Sequence, residues 1–227
     1  MDVKILKTNL NGNSNIGLYS YCLSVNGKNL CLLGEDFGSS IEKEISKILS
    51  AEIVHVKIAG TPLLGVFLSG NNNNLLVPRI AFDNEIKQLK DLGINVRVFD
   101  TKLTCLGNNI ACNDFGALVN IDFTDGELKF IKEALKVPVK RISIAETEGP
   151  GACIVTNGKK GIIHRDAEDF EIEMVQSNLG LDSLEPCSIN MGSPYLKSGL
   201  IVNNNGFIVG EQSGGPEIIY VEQSLFE

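Results

Sequence analysis

No apolar run in the sequence approaches the ~20 residues that a membrane-spanning helix needs. Its first residues, MDVKILKTNLNGNSN, lack the apolar core of a secretory leader, so a cytoplasmic location is expected. Positive charge is not in excess. Twenty Lys and Arg stand against 28 Asp and Glu, for a formal net charge of −8. A protein that grips nucleic acid through phosphates needs basic residues gathered on one face. This balance suits a basic protein partner instead, or serves only to keep the chain soluble. The six cysteines, Cys22, Cys31, Cys105, Cys112, Cys153 and Cys187, form no CxxC pair, which speaks against a zinc ribbon or a redox dithiol. Most lie in apolar, strand-like runs and read as buried, reduced thiols.

Histidine is also scarce, with only His55 and His164. No cluster of His, Cys, Asp and Glu has recognised ligand spacing, so neither a metal nor a cofactor is expected. The acidic stretch RDAEDFEIE lacks the glycine turn of a calcium loop and reads as a solvated helix face. GEQSGGPE and SNLGLDSLEP do not match a phosphate loop. The glycines of GEQSGGPE precede a helix start, a position open to anions, but an ordinary turn explains them as well.

What is present is a repeat. In VNGKNLCLL, GNNNNLLVP, CNDFGALVN, TNGKKGIIH and VNNNGFIVG an Asn opens a turn, and an Asn or Gly closes it before mostly apolar residues. The pairs are Asn26 with Asn29, Asn71 with Asn74, Asn113 with Gly116, Asn157 with Gly161, and Asn203 with Gly206. The four asparagines at 71–74 thus read as a hairpin turn between GVFLS and LLVP, with Asn74 expected at positive φ. A glycine precedes each hairpin: Gly17, Gly65, Gly107, Gly151 and Gly199.

After each hairpin comes a segment with helical signals. Ser39 with Glu42 and Thr124 with Glu127 have capping-box spacing. Asp83 opens a helix that stops near Gly93, Gly180 closes another, and Pro216 suits a first helical position. A further strand follows in four units: AEIVHVKIA, INVRVFDT, VPVKRISIA and LEPCSIN. The fifth lacks one, while 2–8 form an orphan strand at the other end of the chain. The expected fold is therefore one α/β domain over 1–227, a closed ring of five ββαβ units. The units are 9–60, 61–104, 105–147, 148–194, and 195–227 completed by 1–8. Closure hides sheet edges, and a monomer is expected. A β-propeller needs four strands per blade and no regular helix, which the helical segments oppose.

Rings of this kind resemble the penteins, among them guanidine-modifying enzymes with a nucleophilic Cys near the C-terminus and a partner His. The fifth unit here holds no Cys, so catalysis is not expected. The runs IAGTPLLG, NNLLVP, LGNNIACNDFGALV, ISIAETEGPGACIVTNGKKGIIH and GLIVNNNGFIVGEQSGGPEIIYVEQSLF resemble the translation initiation factor six family, a noncatalytic pentein family, over essentially the whole chain. The turn at 71–74 departs from that family's pattern in lacking a basic residue and a glycine. The end at Glu227 resembles archaeal members. The resemblance implies binding to the intersubunit face of the large ribosomal subunit, beside the sarcin–ricin loop. Contacts would be mainly to ribosomal proteins, with limited rRNA contact. It implies that joining of the small subunit is blocked, that the factor acts late in large-subunit maturation, and that other factors release it. In a closed ring the loops entering each glycine share one end. Asn15, Thr61, Val66, Asn108, Asn109, Ala152, Lys197 and Leu200 are the candidate contact residues there.

Overall fold

The computed structural model describes residues 3–227. Five three-stranded sheets follow one another around the chain. In each, an antiparallel hairpin carries a third, parallel strand, and in four of them a helix joins the hairpin to that strand. Unit one is Ser20–Val25, Lys28–Leu33, the helix Ser39–Leu49 and Glu52–His55. Unit two is Ser69–Gly70, Leu75–Pro78, the helix Asp83–Asp91 and Val96–Phe99. Unit three is Ile110–Cys112, Ala117–Val119, the helix Asp125–Leu135 and Val139–Arg141. Unit four is Ile154–Asn157, Lys160–His164, the helix Asp169–Leu179 and Ser183–Cys187. Unit five is Leu200–Asn203, Gly206–Gly210 and the helix Gly215–Phe226. Its third strand is Lys4–Thr8, parallel to Gly206–Gly210, with Lys4 opposite Gly206 and Thr8 opposite Gly210. Asp2 of the expected closing strand lies outside the described residues.

The middle strand of each sheet is apolar because both of its faces are covered. Its alternation divides the side chains between two cores. Cys31 and Leu33 pack with Ile201 and Ile208 of unit five, whereas Leu30 and Leu32 pack with Leu75 and Val77 of unit two. Leu76 joins the core of unit three, Leu118 that of unit four, and Ile162 that of unit five. Every core is thus shared by neighbours, and that between units five and one closes the ring. A period-2 strand buried on both sides makes this sharing unavoidable.

Three expectations need correction. The first strand of unit two is only Ser69–Gly70, because Leu64–Phe67 forms a single helical turn instead. Ser39 does not cap its helix; Gly38 takes that position at φ 87°, and Glu42 accepts from the Phe37 amide at 3.1 Å. Asn74 is not at positive φ. Glycine at the equivalent positions answers crowding: a Cβ on Gly116 or Gly206 would overlap the carbonyl oxygen of Asn178 or Lys4. The expected Thr124–Glu127 capping box forms, with the Glu127 amide donating to Thr124 Oγ1 and the Thr124 amide to Glu127 Oε2. The helices of units two and four end as expected, at Gly93 and Gly180 with φ 82° and 61°.

The turn asparagines serve the next unit rather than their own backbone angle. Asn71 Nδ2 donates to Leu135 O at 2.9 Å, Asn113 Nδ2 to Leu179 O at 2.7 Å, Asn157 Nδ2 to Leu225 O at 3.2 Å, and Asn203 Nδ2 to Leu49 O at 2.6 Å. Each acceptor is at the C-terminal end of the following helix, where carbonyls have no partner within the helix. Asn113 Oδ1 meanwhile accepts from the Phe115 and Gly116 amides and closes its own turn. The exposed Asn26 is the exception: it holds φ 51°. Asn113→Asp keeps the turn acceptor but sets a carboxylate against Leu179 O. It is expected to lower stability by about 1–3 kcal/mol, measured by urea unfolding at neutral pH.

Candidate binding face

At one end of the ring, five single turns of helix gather: Ile16–Tyr19, Leu64–Phe67, Leu106–Asn109, Pro150–Cys153 and Leu196–Gly199. The expected glycines precede the first strand of each hairpin and sit inside these turns. A Cβ on Gly65 would overlap Gly17 O, one on Gly107 would overlap Gly65 O, and one on Gly151 would overlap Gly107 O. Gly17 meets Lys197 O in the same way. Only a residue without a side chain lets these backbones approach so closely. Gly199 departs from the series and faces Asn190 instead.

The chain enters four of these turns through a tight reversal that carries residues at positive φ: Asn11–Gly12, Ala59–Gly60, Ala145–Glu146 and 190–192. Left-handed backbone is unfavourable for alanine, glutamate and methionine, so something must hold it. In three cases it is a glutamate from the first turn of the next long helix. Glu85 accepts from the Ala59 and Gly60 amides at 2.7 and 2.8 Å, and Glu171 from the Ala145 amide at 3.0 Å. Glu217 accepts from Gly192 at 2.8 Å and Met191 at 3.3 Å, and from the Ser188 hydroxyl. Each glutamate also accepts from an amide at its own helix start, Phe82, Glu168 or Gly214. The glycines of GEQSGGPE therefore lead into a helix start already occupied by a carboxylate.

Burial alone would raise the Glu217 pKa; the hydrogen bonds from Gly214, Gly192, Ser188 and Met191 outweigh it and hold the carboxyl below its ordinary range. A lowered folded-state pKa adds stability above the unfolded value of ~4.3, and that stability is lost as pH falls through the folded value. Glu217→Gln is expected to melt below the native protein at pH 6. The gap narrows below about pH 4, as melting curves from pH 6 to 3 would show.

The candidate contact residues separate into three groups. Asn15, Asn108, Ala152 and Lys197 line one depression of about 470 Å³ on this face. Thr61 and Val66 lie half-buried beside it on the unit-two loop, where Thr61 Oγ1 donates to Ile58 O at 3.0 Å. Asn109 faces inward, with Nδ2 on Cys105 O at 2.9 Å and Oδ1 accepting from Asn120 at 2.7 Å. Leu200 is 4% exposed within the core of unit five, so its side chain has no free surface to offer a partner. The Lys197 ammonium also turns inward and donates to Gly107 O at 2.8 Å. Sequence reasoning missed Tyr195, 47% exposed at the rim of the depression, and the three glutamates beneath the loops. Their signal was present, because each glutamate is the third residue of its helix.

The thiols and imidazoles do not assemble a nucleophile. The six cysteines are free; Cys31, Cys153 and Cys187 are buried, while Cys22, Cys105 and Cys112 are half-buried, less than their apolar neighbours led us to expect. Cys187 is across the sheet from His164, but its Sγ donates to Ser188 O. Burial pushes the Cys187 thiol up to about 12. His164 Nδ1 accepts from the Asp166 amide at 3.2 Å, and burial lowers its pKa. A thiolate nucleophile requires the opposite environment, with a depressed pKa and an adjacent base. Among the described residues no group of three or more His, Cys, Asp and Glu is placed to hold a metal ion, and no helix is long and apolar enough to cross a membrane.

Residues 5–224 match the eIF-6 family. A protein of Staphylothermus marinus called translation initiation factor 6 is 35% identical over 227 residues, 98% of each chain. The protein of the same name from Pyrococcus abyssi is 35% identical over 187 residues, covering 80% of this chain and 82% of that one. Among solved structures, a cysteine-to-serine mutant of DDAH from Pseudomonas aeruginosa, complexed with citrulline, aligns with a TM-score of 0.52. It is 14% identical and covers 76% of this chain and 69% of that one. That likeness concerns the fold, the five-unit pentein ring.

Proposed function

The chain belongs to the eIF-6 family, and from that we propose that it binds the large ribosomal subunit on its intersubunit face and blocks joining of the small subunit. It acts by occupying space, in the cytoplasm, without catalysis. Its partners there are ribosomal proteins beside the sarcin–ricin loop, with limited rRNA contact, and other factors release it late in subunit maturation. The observation that carries this reading beyond the family name is the loop face itself. Five loops meet at one end of the ring; glycine-to-backbone contacts lock four of the turns, and a glutamate pins three of the loops. Such a face loses little conformational freedom on docking, which favours rigid recognition of a large surface. The net charge of −8 suits basic ribosomal proteins and speeds the encounter.

The relatives' shared name supports a translation factor rather than an enzyme. The sequence of the fifth unit holds no Cys where the guanidine-modifying penteins place their nucleophile. The test is pelleting with purified archaeal subunits offered separately. The protein is expected to travel with the large subunit and not with the small one. Absence from both at several salt concentrations would refute the proposal.

A further inference from the structure

We propose that the axial cavity behind the loop face is a binding site for a small free oxyanion, a carboxylate or phosphate, held by the ammonium of Lys197. The cavity measures about 220 Å³ and lies on the ring axis, with Gly17, Ser69, Gly151 and Thr156 among its walls. Lys197 lines both this cavity and the depression on the loop face. Its Nζ lies within hydrogen-bond distance of one acceptor, Gly107 O at 2.8 Å, and stands 5.9 Å from the centre of the Tyr21 ring. An ammonium has three donors, so two remain for another partner.

The charge around this group is the second observation. Among the described residues neither lining contains an Asp or a Glu, and Lys197 is the sole charged side chain in either. In a chain with 28 carboxylates this is a half-buried cation with no counter-charge beside it among the described residues. Lys197 belongs to none of the ion pairs among the described residues. Burying a charge unpaired is strongly unfavourable, and an anion would relieve it.

Two of the other titratable groups in the cavity wall supply no negative charge at neutral pH. Cys112 donates to Gly70 O at 3.2 Å, and burial raises its thiol pKa; Tyr21 has its hydroxyl on Gly70 O at 3.4 Å and is likewise raised by burial. Cys22, the third, lies on the Tyr21 strand. Burial draws the Lys197 ammonium down to about 8, with Cys112 opposing. The cavity exceeds the ~30 Å³ share of one water several-fold, which leaves room for acetate or phosphate with part of its hydration.

The test uses the full chain at pH 7, titrated with sodium acetate and separately with inorganic phosphate, ionic strength being held with sodium chloride. Calorimetry and melting temperature are the readouts. Saturable binding and a rising melting temperature are expected for the native protein, and neither for Lys197→Met. Only the ammonium form binds, so acetate affinity for the native protein is expected to fall about 30-fold between pH 6.5 and 9.5 for a group titrating near 8. This pH arm needs no variant and stands even if Lys197→Met fails to fold. No saturable binding by the native protein would overturn the proposal, as would equal binding by folded Lys197→Met or affinity unchanged across that pH range.

Discussion

Gly107→Ala is expected to destabilise the protein by about 3 kcal/mol or more, the upper end of what overpacking costs. The added methyl overlaps the carbonyl oxygen of Gly65 and comes within 2.8 Å of that of Leu68. Both obstacles are backbone, so no side chain can rotate away. Relief requires the single turns 64–67 and 106–109 to separate, and that opens the axis on which all five units meet. Gly126→Ala is the matched control. Gly126 lies in the helix Asp125–Leu135 with open space around its Cα. Alanine there is expected to raise stability by about 0.5 kcal/mol, because it narrows the unfolded ensemble and favours helix. Urea unfolding of both variants measures the contrast. A change below about 1 kcal/mol for Gly107→Ala would mean that the glycine contacts do not hold the ring together.

Asn108→Arg is expected to weaken binding to the large subunit by about 10- to 100-fold with the fold intact, mostly through faster dissociation. Asn108 lines the depression of the loop face and is half-buried there. A long, charged side chain at that position holds off any closely fitted partner. The sign of the effect separates two pictures. Were the chain held to rRNA by general electrostatics, an added positive charge would strengthen binding and steepen its salt dependence. Asn204→Arg, on the hairpin turns away from the loop face, adds the same charge and is expected to leave binding within about 2-fold. Surface plasmon resonance on immobilised subunits reads both variants.

The ring was legible in the sequence because its determinants are local. Strand alternation, the turn asparagines and the evenly spaced glycines all fall within stretches of a few residues, and the split fifth unit announced closure. The purpose of those asparagines was not legible. Asn113 caps a carbonyl 66 residues further along, and nothing near it in sequence reveals that partner. The positive φ expected of Asn74 rested on the glycine at the equivalent Gly116, and that residue is glycine because a neighbouring unit crowds it, not because of its backbone angle.

The loop face was legible as a set of loops but not as a set of side chains. Asn15, Asn108 and Ala152 reach the depression, whereas Leu200 belongs to the core. The Lys197 ammonium points to the axis because Gly107 O waits there, 90 residues away. The glutamates that pin the loops were visible as helix-start residues, yet their second bonds, to the preceding unit's reversal, appear only once the chain is folded.

The most direct measurement is subunit joining. Purified archaeal large and small subunits are mixed with Mg²⁺, with and without the protein in excess over large subunits, and resolved on a sucrose gradient. The account predicts that joined ribosomes disappear and that the protein migrates with free large subunits, an effect much reduced for Asn108→Arg. Joined ribosomes forming normally, with the protein bound to large subunits within them, would contradict it.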